Sequence, residues 1–300
     1  MIEQTFALAQ YTRASASVPR LGVLRGDTIH ALPDGWPSTT LALIEESARW
    51  TQRLRGLTID ELDVVPDADL IAPLTYPRKL LCAGANYYDH AAEMGTDRPD
   101  PAESPFFFLK PPTTTIVGTG AVIAIARLDE ADLDWEAELA VVIADRCNDL
   151  TPEQVPAHIF GYAVANDLSA RGFFPRPNPV APPFAFDWLR HKALDGSCPI
   201  GPGIVPAWQI ADPQALSISL SVNGVSKQNS STSEMVIGIY ELVSAVSCTL
   251  TLEPGDVILT GTPAGVGTPR KDFLTDGDVV VTEIEGLGRL ENTIATGQKV

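Results

Sequence analysis

At 300 residues the chain is longer than the commonest single domain and short for three, so one large domain with a smaller appendage is expected. A composition of 45% hydrophobic and 20% charged residues is that of an ordinary globular protein with a sizeable core. With 38 acidic against 21 basic residues the net charge is −17, which argues against a nucleic-acid partner, because a phosphate backbone needs a basic surface. Met1-Ile2-Glu3-Gln4 is polar and acidic, no apolar h-region follows, and no stretch approaches bilayer-spanning length. Neither a signal peptide nor a membrane partner is expected. Cys82, Cys147, Cys198 and Cys248 lie far apart without CxxC spacing. They read as reduced, mostly buried thiols of a cytoplasmic protein, without zinc or disulfides.

Residues 1–75 read as a small N-terminal α/β unit. Phe6 to Tyr11 forms a strand, and Leu21 to Leu24 and Thr28 to Leu32 form a hairpin around Arg25-Gly26-Asp27. Ser38 to Leu54 reads as a helix with Leu41, Ile44 and Ala48 at helical spacing. His30 is a polar strand residue. Pro73 to Pro77 punctuates the chain, and residues 76–300 form the second unit.

Leu80 to Gly84 opens that unit as a strand. In the short helix that follows, Asn86 is the expected N-cap and Gly95 the stop. His90 and Glu93, three apart, share a face. The pair is either a general base with its orienting acid or an ordinary surface pair. Thr96 to Pro105 is an acidic, proline-rich loop. Phe106 to Leu109 is an aromatic strand whose Phe run reads as core, and Lys110 faces either a site or solvent, with solvent or a structural role expected. Val122 to Ala126 is a further strand.

Asp134-Trp135-Glu136-Ala137-Glu138 runs into the apolar Leu139 to Ile143, a buried strand. Strand positions two apart share a face, so Glu136 and Glu138 place two carboxylates a few ångströms apart. They are either a solvated strand end or half of a site for a hard cation, which takes oxygen ligands. Thr151-Pro152-Glu153 signals a short helix. Gly161 to Asn166 is another buried strand with Asp167 at its end, either a turn carboxylate or a third ligand.

Phe173 to Leu189 is too apolar for a free linker and too rich in proline for a helix or central strand, and reads as an ordered loop packed as a lid or subunit contact. Lys192 is either a buried cation beside the site or a surface lysine. Leu216, Ile218, Leu220 and Val222 alternate as in a half-exposed strand turned by Asn223-Gly224. Met235 to Cys248 fits a helix burying Ile239, Leu242, Val243 and Val246. Val257 to Leu259 is a strand leading to the glycine-rich Thr260 to Gly267. That loop lacks the Lys-Ser/Thr of a P-loop, but its N–H groups and Thr262 can cradle a carboxylate or oxyanion. Val279 to Ile284 and Arg289 to Ile294 close the chain around Gly286-Leu287-Gly288.

Five motifs stand in one order: Gly84-x-Asn86-Tyr87-x-x-His90-x-x-Glu93, Asp134-x-Glu136-x-Glu138, Gly161-Tyr162 to Asp167-x-Ser169-Ala170-Arg171, Lys192, and Leu252-Glu253-Pro254-Gly255-Asp256 to Gly261-Thr262-Pro263-x-Gly265-Val266-Gly267. Over about residues 78–296 they resemble the fumarylacetoacetate hydrolase family. The resemblance implies an α+β, mainly β fold, a mixed β-sandwich roll, in a homodimer. It implies Mg²⁺ or Mn²⁺ (Ca²⁺ as a substitute in crystals) on Glu136, Glu138 and Asp167, and His90 with Glu93 activating water. Lys192 then stabilises developing negative charge, and Arg171 and Thr262 contact substrate. The family commonly continues Arg-Asp-x-Gln, whereas here the run is Arg171-Gly172-Phe173-Phe174. Phe174 stands where the glutamine would be, which suits a more apolar acyl chain or ring.

The expected function is therefore metal-dependent hydrolysis of a carbon–carbon bond in an acylpyruvate-type 2-oxo acid, as in aromatic catabolism. Decarboxylation or isomerisation of an oxo-acid through the same residues is the alternative, and a silent binding homologue the third.

Overall fold

The computed structural model describes residues 5–13 and 16–297. The polar start Met1 to Gln4 lies outside the described residues. Among these, an eleven-stranded mixed sheet and a five-stranded sheet carry the fold, and the helices are short. This is the mainly β, α+β architecture expected above.

The strand Ala137–Ile143 is the middle of the large sheet. It pairs antiparallel with Ile159–Asn166 on one side and with Val257–Leu259 on the other. Leu139, Val141 and Ile143 pack with the five-stranded sheet and the helix Ile239–Thr249. Ala140 and Val142 pack with Leu43, Ile44, Trp50 and Leu54 of the N-terminal helices. Because both faces are covered, the strand is a continuous apolar run without alternation. Ser217–Val222, with only one face on the core, alternates as expected. Its turn Asn223-Gly224 has φ of 51° and 77°, the two positive values a two-residue hairpin needs.

The N-terminal strand Ala7–Arg13 joins the same large sheet through Cys198–Pro206. The described residues up to 75 thus share a sheet and an apolar core with the rest of the chain.

Several expectations give way to tertiary contacts. The helix over Ser38 to Leu54 is two helices, Thr40–Glu45 and Ser47–Arg55. They break at Glu46, beside a bond from Ser47 Oγ to the Ala144 carbonyl. Ala48 is exposed, and Trp50 and Leu54 are buried instead. The signals at Thr151 to Glu153 produce a turn, because the Gln154 side chain caps Thr151 N–H. A 3₁₀ turn Val155–His158 with Pro156 follows. Asn86 caps no helix. Its amide accepts from Ile237 N–H and donates to the carbonyls of Ile237 and Thr260. With the bond from Val236 N–H to the Asn86 carbonyl, that tether engages the backbone of residues 236–237 outside a helix, and the helix expected from Met235 starts at Ile239. The helix Tyr88–Glu93 ends before Gly95, at φ +72°. Of the Phe run, Phe106 is 51% exposed and Phe108 half-buried, so it is not core as expected. Cys82, Cys147 and Cys198 are buried, Cys248 is exposed, and all four are free.

Candidate active site and metal centre

Register builds the carboxylate cluster. Ala137 stands opposite Asn166, so the end of Ile159–Asn166 reaches Glu136. Asn166 Oδ1 accepts from Glu136 N–H, and Asp167 N–H donates to the Glu136 carbonyl, each at 2.9 Å. Glu136, Glu138 and Asp167 are all buried, each offering an oxygen within 4.8 Å of the others.

Three cations surround the cluster. Lys192, on the helix Trp188–Lys192, donates to Glu136 Oε2 at 2.8 Å and Asp167 Oδ2 at 2.7 Å. Arg171 Nη2 donates to Glu136 Oε1 at 2.6 Å, and its Nε to Asp134 at 3.0 Å. Lys110, 1% exposed, donates to Asp167 Oδ1 at 2.5 Å and to the carbonyls of Leu168 and Ser197. Lys110 is therefore not the solvent-facing lysine of one sequence reading. It is a buried counterion of the site, and the isolated charge between Phe108 and Pro111-Pro112 was its only signal.

Burial by itself raises the Glu136 carboxyl; Lys192 and Arg171 outweigh that and hold it below the usual range. Glu138 goes the other way. Burial, then the charges of Asp167 and Glu136, push it well above the usual range. Its donor is the Gly261 N–H at 2.6 Å, and among the described residues it has no ion pair. A purely oxygen donor set with one uncompensated buried carboxylate fits a hard divalent cation. Another grouping, Asp145, Cys147 and His158, fits one less well. His158 Nδ1 lies 2.5 Å from Asp145, and burial raises the Cys147 thiol to about 11.

Addition of Mn²⁺ at a hundred times its Kd is expected to stabilise the protein by about 2.7 kcal/mol. Glu138→Gln should abolish that gain without lowering the stability of the metal-free protein, since burial, Asp167 and Glu136 already disfavour a charge at that position. Thermal melts with and without Mn²⁺ check both. A gain of the same size in the variant would remove Glu138 from the ligand set.

The glycine-rich loop does cradle carboxylates, but they belong to the protein. Its N–H groups donate from Gly261 to Glu138, from Ala264 to Asp89, from Gly265 to Glu93 and from Gly267 to Asp134. Gly261 (φ +94°) and Gly265 (φ +108°) are required here. A Cβ on the first would lie 2.8 Å from Asn86 Cβ, and on the second 2.2 Å from the Lys227 carbonyl. Asp134 also accepts from Thr268, which ties this loop to Arg171. The buried Gln228 amide donates to Thr262 Oγ1 at 2.8 Å, so the Thr262 proton must be directed elsewhere.

A cavity of about 430 Å³ opens above the cluster. Glu136, Arg171, Lys192, His90 and Thr262 line its polar part. His90 Nδ1 lies 3.7 Å from Glu93, beyond a hydrogen bond, and is buried without a partner. Glu93 is engaged instead by Arg270 Nη1 at 2.7 Å and Gly265 N–H at 2.9 Å. The structure thus brings together the nine residues singled out in the sequence, with Glu93 bonded to Arg270 and Gly265 and 3.7 Å from His90.

Ala83, Gly84 and Ala85 line another stretch, and the apolar rings of the wall are Phe106, Phe108, Phe174 and Trp188. Residues 173–189 make part of it. Arg176 N–H bonds to the Ala185 carbonyl and Asp187 N–H to that of Phe174, closing the insertion into a narrow loop. Phe174 stacks on Phe186 with centroids 4.7 Å apart and meets Trp188 edge-on at 4.9 Å. His191, against Phe174 at 4.3 Å, is pushed down to about 3 by burial and by Lys192 and Arg171, and stays neutral. Phe106, Phe108, Trp188 and His191 escaped the sequence reading because they meet only in three dimensions.

Residues 79–295 match the family model for the fumarylacetoacetate (FAA) hydrolase C-terminal domain. The human mitochondrial oxaloacetate tautomerase FAHD2B is 36% identical over 96% of this chain and 91% of its own length. The structure of a fumarylacetoacetate hydrolase from Exiguobacterium antarcticum superposes with a TM-score of 0.78, at 33% identity, over 97% of this chain and 100% of that one. Maleylpyruvate hydrolase from Sphingobium sp. SYK-6, solved with manganese(II) and pyruvate, superposes with a TM-score of 0.77 at 28% identity, over 97% and 100%.

Proposed function

This chain belongs to the fumarylacetoacetate hydrolase family, and from that premise we propose that it interconverts the keto and enol forms of a 2-oxo acid. The observation that carries the reading is the state of His90. Its Nδ1 has no hydrogen-bond partner, and the carboxylate expected to orient it lies 3.7 Å away, bonded by Arg270 and Gly265. A single imidazole on the cavity wall suits one proton transfer at carbon. Water activation by the pair would need Glu93 to exchange its bonds from Arg270 and Gly265 for one to His90. The similarity to an oxaloacetate tautomerase along nearly the whole chain supports the same reading.

In this reading Glu136, Glu138 and Asp167 hold a divalent cation, Mg²⁺ or Mn²⁺. When bound it would supply Lewis acidity toward the oxygens of the substrate. His90 removes a proton from C3, and the electron pair shifts to the carbonyl oxygen. The imidazolium of His90 then gives up a proton and that oxygen gains one, directly or through water, so the composition is unchanged and His90 is neutral again. Lys192 adds fixed positive charge where negative charge develops, and Arg171 keeps Glu136 ionised. Thr262 donates its remaining proton to the substrate. All of these residues lie in the unit 76–300, which we assign to catalysis. Residues 1–75 buttress the outer face of its sheet.

Carbon–carbon hydrolysis is the second reading, favoured by the superposition on maleylpyruvate hydrolase. One experiment separates them. With Mn²⁺ in D₂O, tautomerisation exchanges the C3 protons of oxaloacetate without loss of substrate carbon, followed by NMR. Acylpyruvate cleaved to acid and pyruvate, with no accelerated exchange, would replace the first reading with the second.

A further inference from the structure

The cavity has two chemically distinct parts. Its head carries Glu136 with Arg171, Lys192, His90 and Thr262. Beside the short stretch Ala83-Gly84-Ala85, the rest is mostly ring surface from two separate segments, the strand Phe106–Leu109 and the 173–189 insertion. Trp188 is the hub: its ring lies 5.2 Å from Phe106, 5.1 Å from Phe108 and 4.9 Å from Phe174. Phe186 backs Phe174 from behind. Phe106 is 51% and Trp188 40% exposed, so large ring faces remain uncovered beside the cavity. At about 430 Å³ the space lies within the range of small-molecule sites, roughly 300–1,000 Å³.

The charge inventory points the same way. Arg171 and Lys192 are the cations lining the cavity, and both are already paired with buried carboxylates. His191 is neutral. A second carboxylate, at the far end of a 2-oxo diacid, would lie against the negative faces of aromatic rings without a cation of its own. A flat ring in that position stacks on them.

We propose that the preferred substrates are arylpyruvates, 2-oxo acids bearing an aromatic ring on C3, whose ring packs in the cavity slot walled on one side by Phe106, Phe108, Phe174 and Trp188. The proposal rests on the tautomerase reading of this site. The step is the one already written: the C3 proton leaves to His90, and the carbonyl oxygen gains one. The aryl ring conjugates with the new double bond.

The test compares phenylpyruvate and oxaloacetate, with Mn²⁺, by the rate of keto–enol interconversion read in enol absorbance. Wild type should favour phenylpyruvate by about tenfold or more in kcat/KM. Trp188→Ala should lower kcat/KM for phenylpyruvate about tenfold and leave the ratio near one. Phe174→Arg should invert the ratio by giving a distal carboxylate its cation. Melting curves establish that both variants fold. If wild type converts oxaloacetate as well as or better than phenylpyruvate, the slot proposal falls while the tautomerase reading stands. If both variants fold and scale the two substrates equally, the slot also falls. If neither acid is interconverted, the tautomerase reading falls and takes the proposal with it.

Discussion

Lys110→Met is expected to destabilise the protein by about 3–5 kcal/mol, the range for removing one partner of a buried ion pair. The ammonium is almost fully enclosed. It serves one oxygen of Asp167 and the backbone carbonyls of Leu168 and Ser197, so its loss leaves three acceptors without that donor. Methionine matches the length of the chain and its packing, which isolates the charge. Lys192 still reaches the other Asp167 oxygen, and this bounds the loss. Urea unfolding at unchanged m-value reads the effect. A second change, Asp167→Asn, should return part of it, because the carboxylate that needed the charge is gone; the two single variants and the double form the cycle that measures their coupling. A midpoint within error of wild type for Lys110→Met would mean that the ammonium does not act as a counterion.

His90→Asn is expected to lower turnover by about 10²–10⁴-fold, the usual contribution of a positioned general base, while leaving the Mn²⁺-induced thermal shift intact. Glu93→Gln should cost much less, since Glu93 is bound to Arg270 and Gly265 and lies 3.7 Å from the imidazole. Hydrolysis driven by a closed His-Glu pair predicts similar losses for the two variants. Steady-state rates on one substrate therefore test both the base and its supposed partner. Retention of a tenth or more of wild-type turnover by His90→Asn would place the base elsewhere.

Where local chemistry and tertiary packing agree, the chain order was enough. The strands around Glu138, Asn166 and Leu259 are where their apolar runs place them, because a strand buried on both faces tolerates little else. The hairpin at Asn223-Gly224 forms because those two residues accept positive φ. Elements failed where a distant partner competed for the backbone. Asn86 reads as a helix cap, yet its amide is engaged by Ile237 and Thr260 from the other end of the chain. The glycine-rich loop shows the same contrast. Its composition announced an anion cradle, but only the folded chain shows that Glu138, Asp89, Glu93 and Asp134 occupy it.

The sequence by itself determined the mainly β fold, the family, and the spacing that puts two carboxylates on one strand with a third at the end of the next. These rest on short-range geometry, the period of two along a strand and the order of motifs. Only the tertiary structure decided which charges balance them. It also decided that Lys110 is buried, that His90 and Glu93 stand apart, and that rings from residues 106–108 and 174–188 meet over the cavity. Such facts depend on groups far apart in the chain, whose meeting is set by sheet register and core packing and leaves no periodicity in the sequence to read.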